Sequence, residues 1–284
     1  MTTKFRNSAR KLRENRSNRM ISGVILAGKR TVHNQLLEFA GDVNNKALIE
    51  IDGKAMIQHV INSLNESRYI ANIYLVAPED FKEWPFDSEK PLEIIPCGDT
   101  VVENLLIGIR QSGEAEKVVI TTCDNPLFRG FMLDEFIQRC LMTDADFYYS
   151  VGKESVIKAN YPQVVRTYVP GKDDGYTGAN VYFVNKKRFS ANENILAEID
   201  SYRKTPWKYI RLLGWMPLLK FALKRITLEE VETRASKIIG CRFKLIPMPY
   251  PECGIDVDKV SDLTFVRELV QKRGWPNALV YKAA

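Results

Sequence analysis

The sequence predicts an α/β fold: a mostly parallel sheet with helices on both faces, giving way to a mixed region in its second half. Three observations predict it. Short, continuous apolar runs rich in Val and Ile alternate with amphipathic stretches over the first 130 residues, the pattern of strands buried on both faces and joined by crossover helices. These runs stop at glycine, proline or a bare carboxylate, as in "VILAG", "YLVAP" and "VITTCD". From Asp144 onward, aromatic and β-branched segments joined by Gly- and Asp-bearing turns take over.

The elements follow in order. "MISGVILAG" is a buried strand opening at Ile21, and a loop runs through "KRTVHNQLLEFAGDVNNKAL". A turn at Asp52-Gly53 precedes an amphipathic helix with Ala55, Met56, Val60 and Leu64 near one face. "NIYLVAP" and "LEIIPCG" are the next two strands, "TVVENLLIGIRQSG" is a helix and "KVVITTCD" a fourth strand. "FMLDEFIQRCLMT" is a helix, whereas "DADFYYSVG", "VVRTYV" and "GANVYFVN" read as strands of the mixed region. Residues 205–240 form a basic, apolar helical stretch interrupted by Gly214 and Pro217, followed by a strand at "FKLIPMPY" and a last helix near "DLTFVRELVQKR".

Composition narrows the class. With 284 residues, 45% hydrophobic and 27% charged, the chain can bury a full core as one domain over residues 21–284. No run of about 18 apolar residues and no apolar segment behind the N-terminal charges is present, so the expected location is cytoplasmic. The five scattered cysteines lack a Cys-x-x-Cys pair and read as reduced structural thiols. The net charge of +6 is concentrated in residues 1–20, whose seven basic residues face only Glu14. Such an arm reads as a mobile extension or a frayed helix; a solvated tail is the ordinary reading, contact with nucleic acid or anionic lipid or a weak targeting role the sharper ones, and no nucleic-acid partner is expected. Within 205–240, Lys220 and Lys224 lie among tryptophans and leucines. Core packing is the ordinary reading of that mixture; an acceptor-side cover with peripheral membrane contact is the sharper one.

In an open α/β sheet, ligands bind beyond the carboxyl ends of the strands. Three features should gather there: the loop after Gly28, Asp124 in "TTCDNP", and "ECGIDVDKVSDL". "LAGKRTVHN" does not supply Gly-x-Gly-x-x-Gly, and neither a Walker sequence nor a Gly-x-Ser-x-Gly elbow occurs. A strand, a glycine loop, a lysine and two distant aspartates then point to a metal-dependent site for phosphate groups. Taken singly, each residue has an ordinary role: Asp124 as a turn former, Lys46 as a surface lysine, Asp256 and Asp258 as loop or capping residues, His33 and His59 as loop and helix-surface residues.

Five blocks in order, "VILAG" with "NKALIEIDGKAMIQHVINSL", "VVITTCDNPLF", "YTGANVYFVN" and "GIDVDKVSDL", resemble the nucleotidyltransferase superfamily, and within it the MobA-like NTP transferases, over residues 21–270. The resemblance implies a GT-A-type, Rossmann-like domain that joins an NTP, GTP or CTP, to a phosphorylated small-molecule or lipid-precursor acceptor and releases pyrophosphate. It further implies Mg2+ held by Asp124 and Asp256, with Asp258 the weaker candidate, and Lys46 stabilising charge at phosphorus. Leu26, Ala27, Gly28, Lys29 and Arg30 would hold the nucleotide, Gly98 and Asp99 its base, and Gly178 and Asn180 the acceptor. One departure stands out: relatives carry Leu-Ala-Gly-Gly-x-Gly-x-Arg, whereas Lys29 replaces the second glycine here and no third follows. Lys29 and Arg30 would then supply formal charge in place of backbone donors. Two rival readings remain, a glycosyltransferase of the same fold using "DVD" as its metal motif and a nucleotide-binding relative without turnover.

Overall fold

The chain is represented by a computed structural model that describes residues 21–28, 35–41, 43–189, 225–278 and 281. The arm 1–20, Lys29, Arg30, His33 and residues 190–224, including most of the expected cover at 205–240, lie outside the described residues.

Strand β1 (Ile21–Leu26) is buried along its whole length, as its unbroken apolar run requires. Helix α1 (Gln35–Ala40) and a 3-10 turn (Lys46–Leu48) occupy what the sequence reads as one long loop. A two-residue hairpin, β2 (Glu50–Ile51) and β3 (Lys54–Ala55), leads into helix α2 (Met56–Glu66), which buries Met56, Val60 and Leu64. The hairpin turn places Asp52 at φ 51° and Gly53 at φ 72°, the left-handed pair that a tight two-residue connection demands.

Then come β4 (Ile70–Ala77), β5 (Leu92–Pro96), α3 (Val101–Gln111), β6 (Lys117–Thr122), α4 (Gly130–Leu141) and β7 (Phe147–Lys153). Helix α5 (Glu154–Asn160) precedes β8 (Val169–Pro170), β9 (Gly175–Asn185) and the single turn α6 (Lys186–Phe189). Helix α7 (Leu228–Ile239), β10 (Phe243–Met248) and α8 (Val260–Arg273) complete the described chain.

Among the described residues one eight-stranded sheet runs in the order β10-β7-β9-β6-β1-β4-β5, with β8 beside β9. Strands β4 and β6 pair parallel to β1, β5 to β4 and β10 to β7, while β9 runs antiparallel to β6, β7 and β8. Thus, among the described strands of this sheet, β9 alone is reversed, and the carboxyl ends of β1, β6, β7 and β10 share one edge with its amino-terminal half. One core layer packs α2 and α4 on one face through Ile57, Ile61, Met132 and Phe136. Another packs α3 on the opposite face through Leu105, Leu106 and Ile109, and a third joins α1, α5 and α8 to residues such as Leu127, Ile255 and Val257 that follow the carboxyl ends of β6 and β10. None of the described helices is long and apolar enough to cross a membrane. All five cysteines are free thiols.

Two expectations are corrected. "VVRTYV" is not a strand over its length, because only Val169 and Pro170 find partners, in Tyr176 and Gly175. It keeps the period-two alternation all the same: Val164, Arg166 and Tyr168 turn inward while Val165, Thr167 and Val169 are exposed. His59 is buried rather than on the helix surface. Its Nε2 donates to the Ile51 carbonyl at 2.8 Å, its ring stacks on Trp275 at 4.0 Å, and burial lowers its pKa, so it stays neutral and serves packing.

Candidate active site

The ends of β1 and β6 are tied before any side chain enters. Cys123 N–H donates to Leu26 O at 3.1 Å and Ala27 N–H to Val76 O at 2.8 Å, so the backbone of Leu26 and Ala27 is scaffold. Asn45 caps the 3-10 turn by accepting from Ala47 N–H at 2.9 Å, and its amide reaches Ala27 O at 3.4 Å. Lys46 is thereby aimed from the first residue of that turn across the end of β6.

There it meets two acids. The Lys46 ammonium contacts Asp124 and donates to Asp258 Oδ1 at 2.8 Å, with only a tenth of its side chain exposed. Burial pulls the lysine's pKa down, but Asp124, Cys123 and Asp258 outweigh it and the net shift is upward, so the residue stays charged. Asp124 is buried, accepts from Thr122 Oγ1 as well, and gives its carbonyl to Val257 N–H at 2.8 Å.

That backbone bond brings the segment after β10 to the end of β6. Asp124, Asp256 and Asp258 consequently gather, with one oxygen of each within 4.8 Å of the others. Asp258 belongs to this group as fully as Asp256 does. Burial raises the Asp256 pKa, with Asp124 and Asp258 adding to the effect and Arg166 opposing it. Arg166, which the sequence offered no signal to single out, contacts both the carboxylate and the carbonyl of Asp256. The donor set is all hard carboxylate oxygen with no sulfur, which fits magnesium.

The remaining candidates divide into those that meet and those that frame. Asn180, at φ 54°, donates from Nδ2 to Asp256 Oδ2 at 2.9 Å and so joins the cluster. Gly178 sits against Tyr149, where a Cβ would overlap the tyrosine hydroxyl; Tyr149 stacks on Tyr182 at 4.7 Å. Gly28 and Gly98 lie on either side of the buried Asn104: a Cβ at Gly28 would overlap its amide nitrogen, and Gly98 N–H donates to its Oδ1 at 2.7 Å. Asp99 N–H is taken by Glu103 at 2.8 Å, so the amides of Gly98 and Asp99 both serve the start of α3. Beside Asp258 opens a cavity of about 620 Å³ lined by Gln35, Leu36, Glu38, Lys259 and Ser261, within the size range of small-molecule sites.

Sequence comparison matches residues 23–228 to the MobA-like NTP transferase domain. The chain belongs to that family. A comparison with curated proteins finds no match. Among solved structures, a hypothetical transferase from Thermus thermophilus is similar, with 28% identity and a TM-score of 0.74 over 86% of this chain and 99% of that one. The 4-diphosphocytidyl-2C-methyl-D-erythritol synthase of Anaerococcus prevotii (13% identity, TM-score 0.55) covers 90% of this chain and 100% of its own. A CMP:2-keto-3-deoxy-manno-octonic acid synthetase complexed with CTP (16%, TM-score 0.53) covers 89% and 98%. These last two are similar to this MobA-like domain in fold, a Rossmann-like α/β one.

Proposed function

We propose that this MobA-like protein is a magnesium-dependent nucleotidyltransferase that joins an NTP to a phosphorylated acceptor and releases pyrophosphate. The convergence of Asp124, Asp256 and Asp258 around Lys46 at the carboxyl edge of the sheet carries the reading. Asp124, Asp256 and Asp258 would hold magnesium, which when bound clamps the phosphates of the NTP and offsets their charge. Lys46, kept protonated by its two acids, stabilises the negative charge that develops at the α-phosphorus. An acceptor phosphate oxygen forms the new bond to that phosphorus while its bond to the β-phosphate oxygen breaks, and pyrophosphate departs in line. The attacking oxygen is already ionised, so no protein nucleophile or strong general base is required. The buried, neutral His59 fits that economy.

Gly28 at the end of β1 and the Gly98–Asp99 turn frame the nucleotide side. Asn180 and Gly178 with Tyr149 frame the acceptor side. CTP and GTP are the first nucleotides to try, CTP because two structures of the same fold carry cytidylyl chemistry in their names. The test is a pyrophosphate-release screen of the four NTPs with Mg2+ against phosphorylated sugars, polyols and lipid precursors. Pyrophosphate formed only with NTP, acceptor and Mg2+ together supports the proposal. Release of a nucleoside diphosphate from a nucleotide-sugar would replace it with glycosyl transfer.

A further inference from the structure

We infer that Arg166 is a positioning residue of this site, holding Asp256 in the orientation in which it joins Asp124 and Asp258. The inference rests on the metal-holding role proposed above for those three acids. Arg166 lies in the extended stretch between α5 and β8, where it turns inward between the exposed Val165 and Thr167. Only 8% of its side chain is exposed. One prong of the guanidinium contacts the Asp256 carboxylate and the other the Asp256 carbonyl, so side chain and backbone of one residue are gripped by one planar fork. A lysine, with a single ammonium on a flexible stem, cannot reproduce that.

The rest of the grip comes from neighbours. Asn180 occupies the second Asp256 oxygen at 2.9 Å, so each carboxylate oxygen carries one donor and keeps lone-pair capacity for a ligand. Arg166 also stands 3.8 Å from Asp262, whose carboxylate accepts the N–H groups of Asp258 at 3.1 Å and Lys259 at 3.0 Å. Arg166 therefore grips the Asp256 end of Asp256-Val257-Asp258 directly, and the acid that fixes the Asp258 end lies within ion-pair distance of the same guanidinium. Charge points the same way: Lys46 serves Asp124 and Asp258, and Arg166 supplies the counter-charge for the acid that Lys46 does not touch. The Arg166 Nε is buried without a hydrogen-bond partner. The fold thus tolerates an unmet donor while keeping the guanidinium turned toward Asp256.

Mn2+ binding to the full-length protein without nucleotide, read by electron paramagnetic resonance, tests the assignment. Arg166→Gln should weaken Mn2+ binding by about 10- to 100-fold, the usual effect of removing a residue that orients a metal ligand. Arg166→Lys, which keeps the charge but loses the fork, should fall in between and carries the test should the glutamine variant fail to fold. Arg166→Gln added to Asp256→Asn should bind Mn2+ no more weakly than Asp256→Asn alone. In turnover, the Mg2+ concentration for half-maximal rate should rise by the same factor while the rate at saturating Mg2+ recovers. Wild-type or tighter Mn2+ binding in a folded Arg166→Gln overturns the assignment and leaves the aspartates' role standing. A wild-type protein that binds no Mn2+ overturns both.

Discussion

Asp124 is the residue on which the site turns, because it alone is shared by Lys46, Thr122 and the backbone of Val257. Asp124→Asn keeps its shape and loses its charge, so we expect a folded protein whose Mg2+-dependent turnover falls by about 100-fold or more. Circular dichroism beside the pyrophosphate assay checks both halves. Asp258→Asn should be damaging on the scale of Asp256→Asn, since both acids enter the cluster. The placement of these residues was legible in part: a β-run ending on a carboxylate puts Asp124 at a sheet edge, whereas Asp256, with Asp258 behind it, was singled out by the resemblance to MobA-like transferases. Two things were not. Arg166 sits in a β-branched run, where an arginine reads as a solvated face, and its inward turn depends on which side of the stretch the sheet covers. His59 sits in a helix whose apolar face is broader than its sequence period suggests, since Trp275 arrives from the far end of the chain to cover it.

At the scale of elements, the Asp52-Gly53 turn sets the register of the β2–β3 hairpin and thereby the start of α2. Gly53→Ala forces a Cβ into left-handed backbone at φ 72° and should cost about 1–2 kcal/mol, read as a lower thermal midpoint. A different fastening joins the starts of β7 and β10. Asp146 accepts from the backbone and guanidinium of Arg242 and from Arg188, and the Arg242 hydrogen bonds lead in pulling its pKa from an ordinary 3.8 down to about 2. A folded-state pKa below the unfolded one means that this contribution is complete above about pH 4 and is lost as pH falls through 2. Asp146→Asn should therefore lower the denaturation midpoint at pH 7 and flatten its pH dependence between 4 and 2. A variant as acid-sensitive as wild type would place the sensitivity elsewhere. Sequence reading found the strands of this region but not α5, whose seven residues include β-branched Val156 and Ile157 and lack a helical apolar repeat long enough to see. It also extended "VVRTYV" into a strand, because period-two alternation records which side is covered and not whether a neighbouring edge is free to pair.

Across the whole molecule, the site belongs to neither half alone. Lys46 and Asp124 come from the alternating first half; Arg166, Asn180, Asp256 and Asp258 come from the mixed second half. A ligand bound among them ties the halves together and stabilises only the folded chain. At a concentration of about 100 times its Kd, Mg2+ should add about 2.7 kcal/mol, raising the thermal midpoint of the wild type but not of Asp256→Asn. Such long-range convergence is invisible to any window of sequence; the resemblance to MobA-like transferases supplied it by the order of the blocks, and the reversed β9 explains it physically by turning Asn180 back to the carboxyl edge. Phosphorus NMR of a complete reaction, with wild-type protein, Mg2+, NTP and an acceptor found in the screen, tests the central claim most directly. The account predicts equal amounts of pyrophosphate and of a new diphosphate-linked product containing the α-phosphorus, both absent with Asp124→Asn. Formation of a nucleoside diphosphate, or of the same products by Asp124→Asn at the wild-type rate, would contradict it.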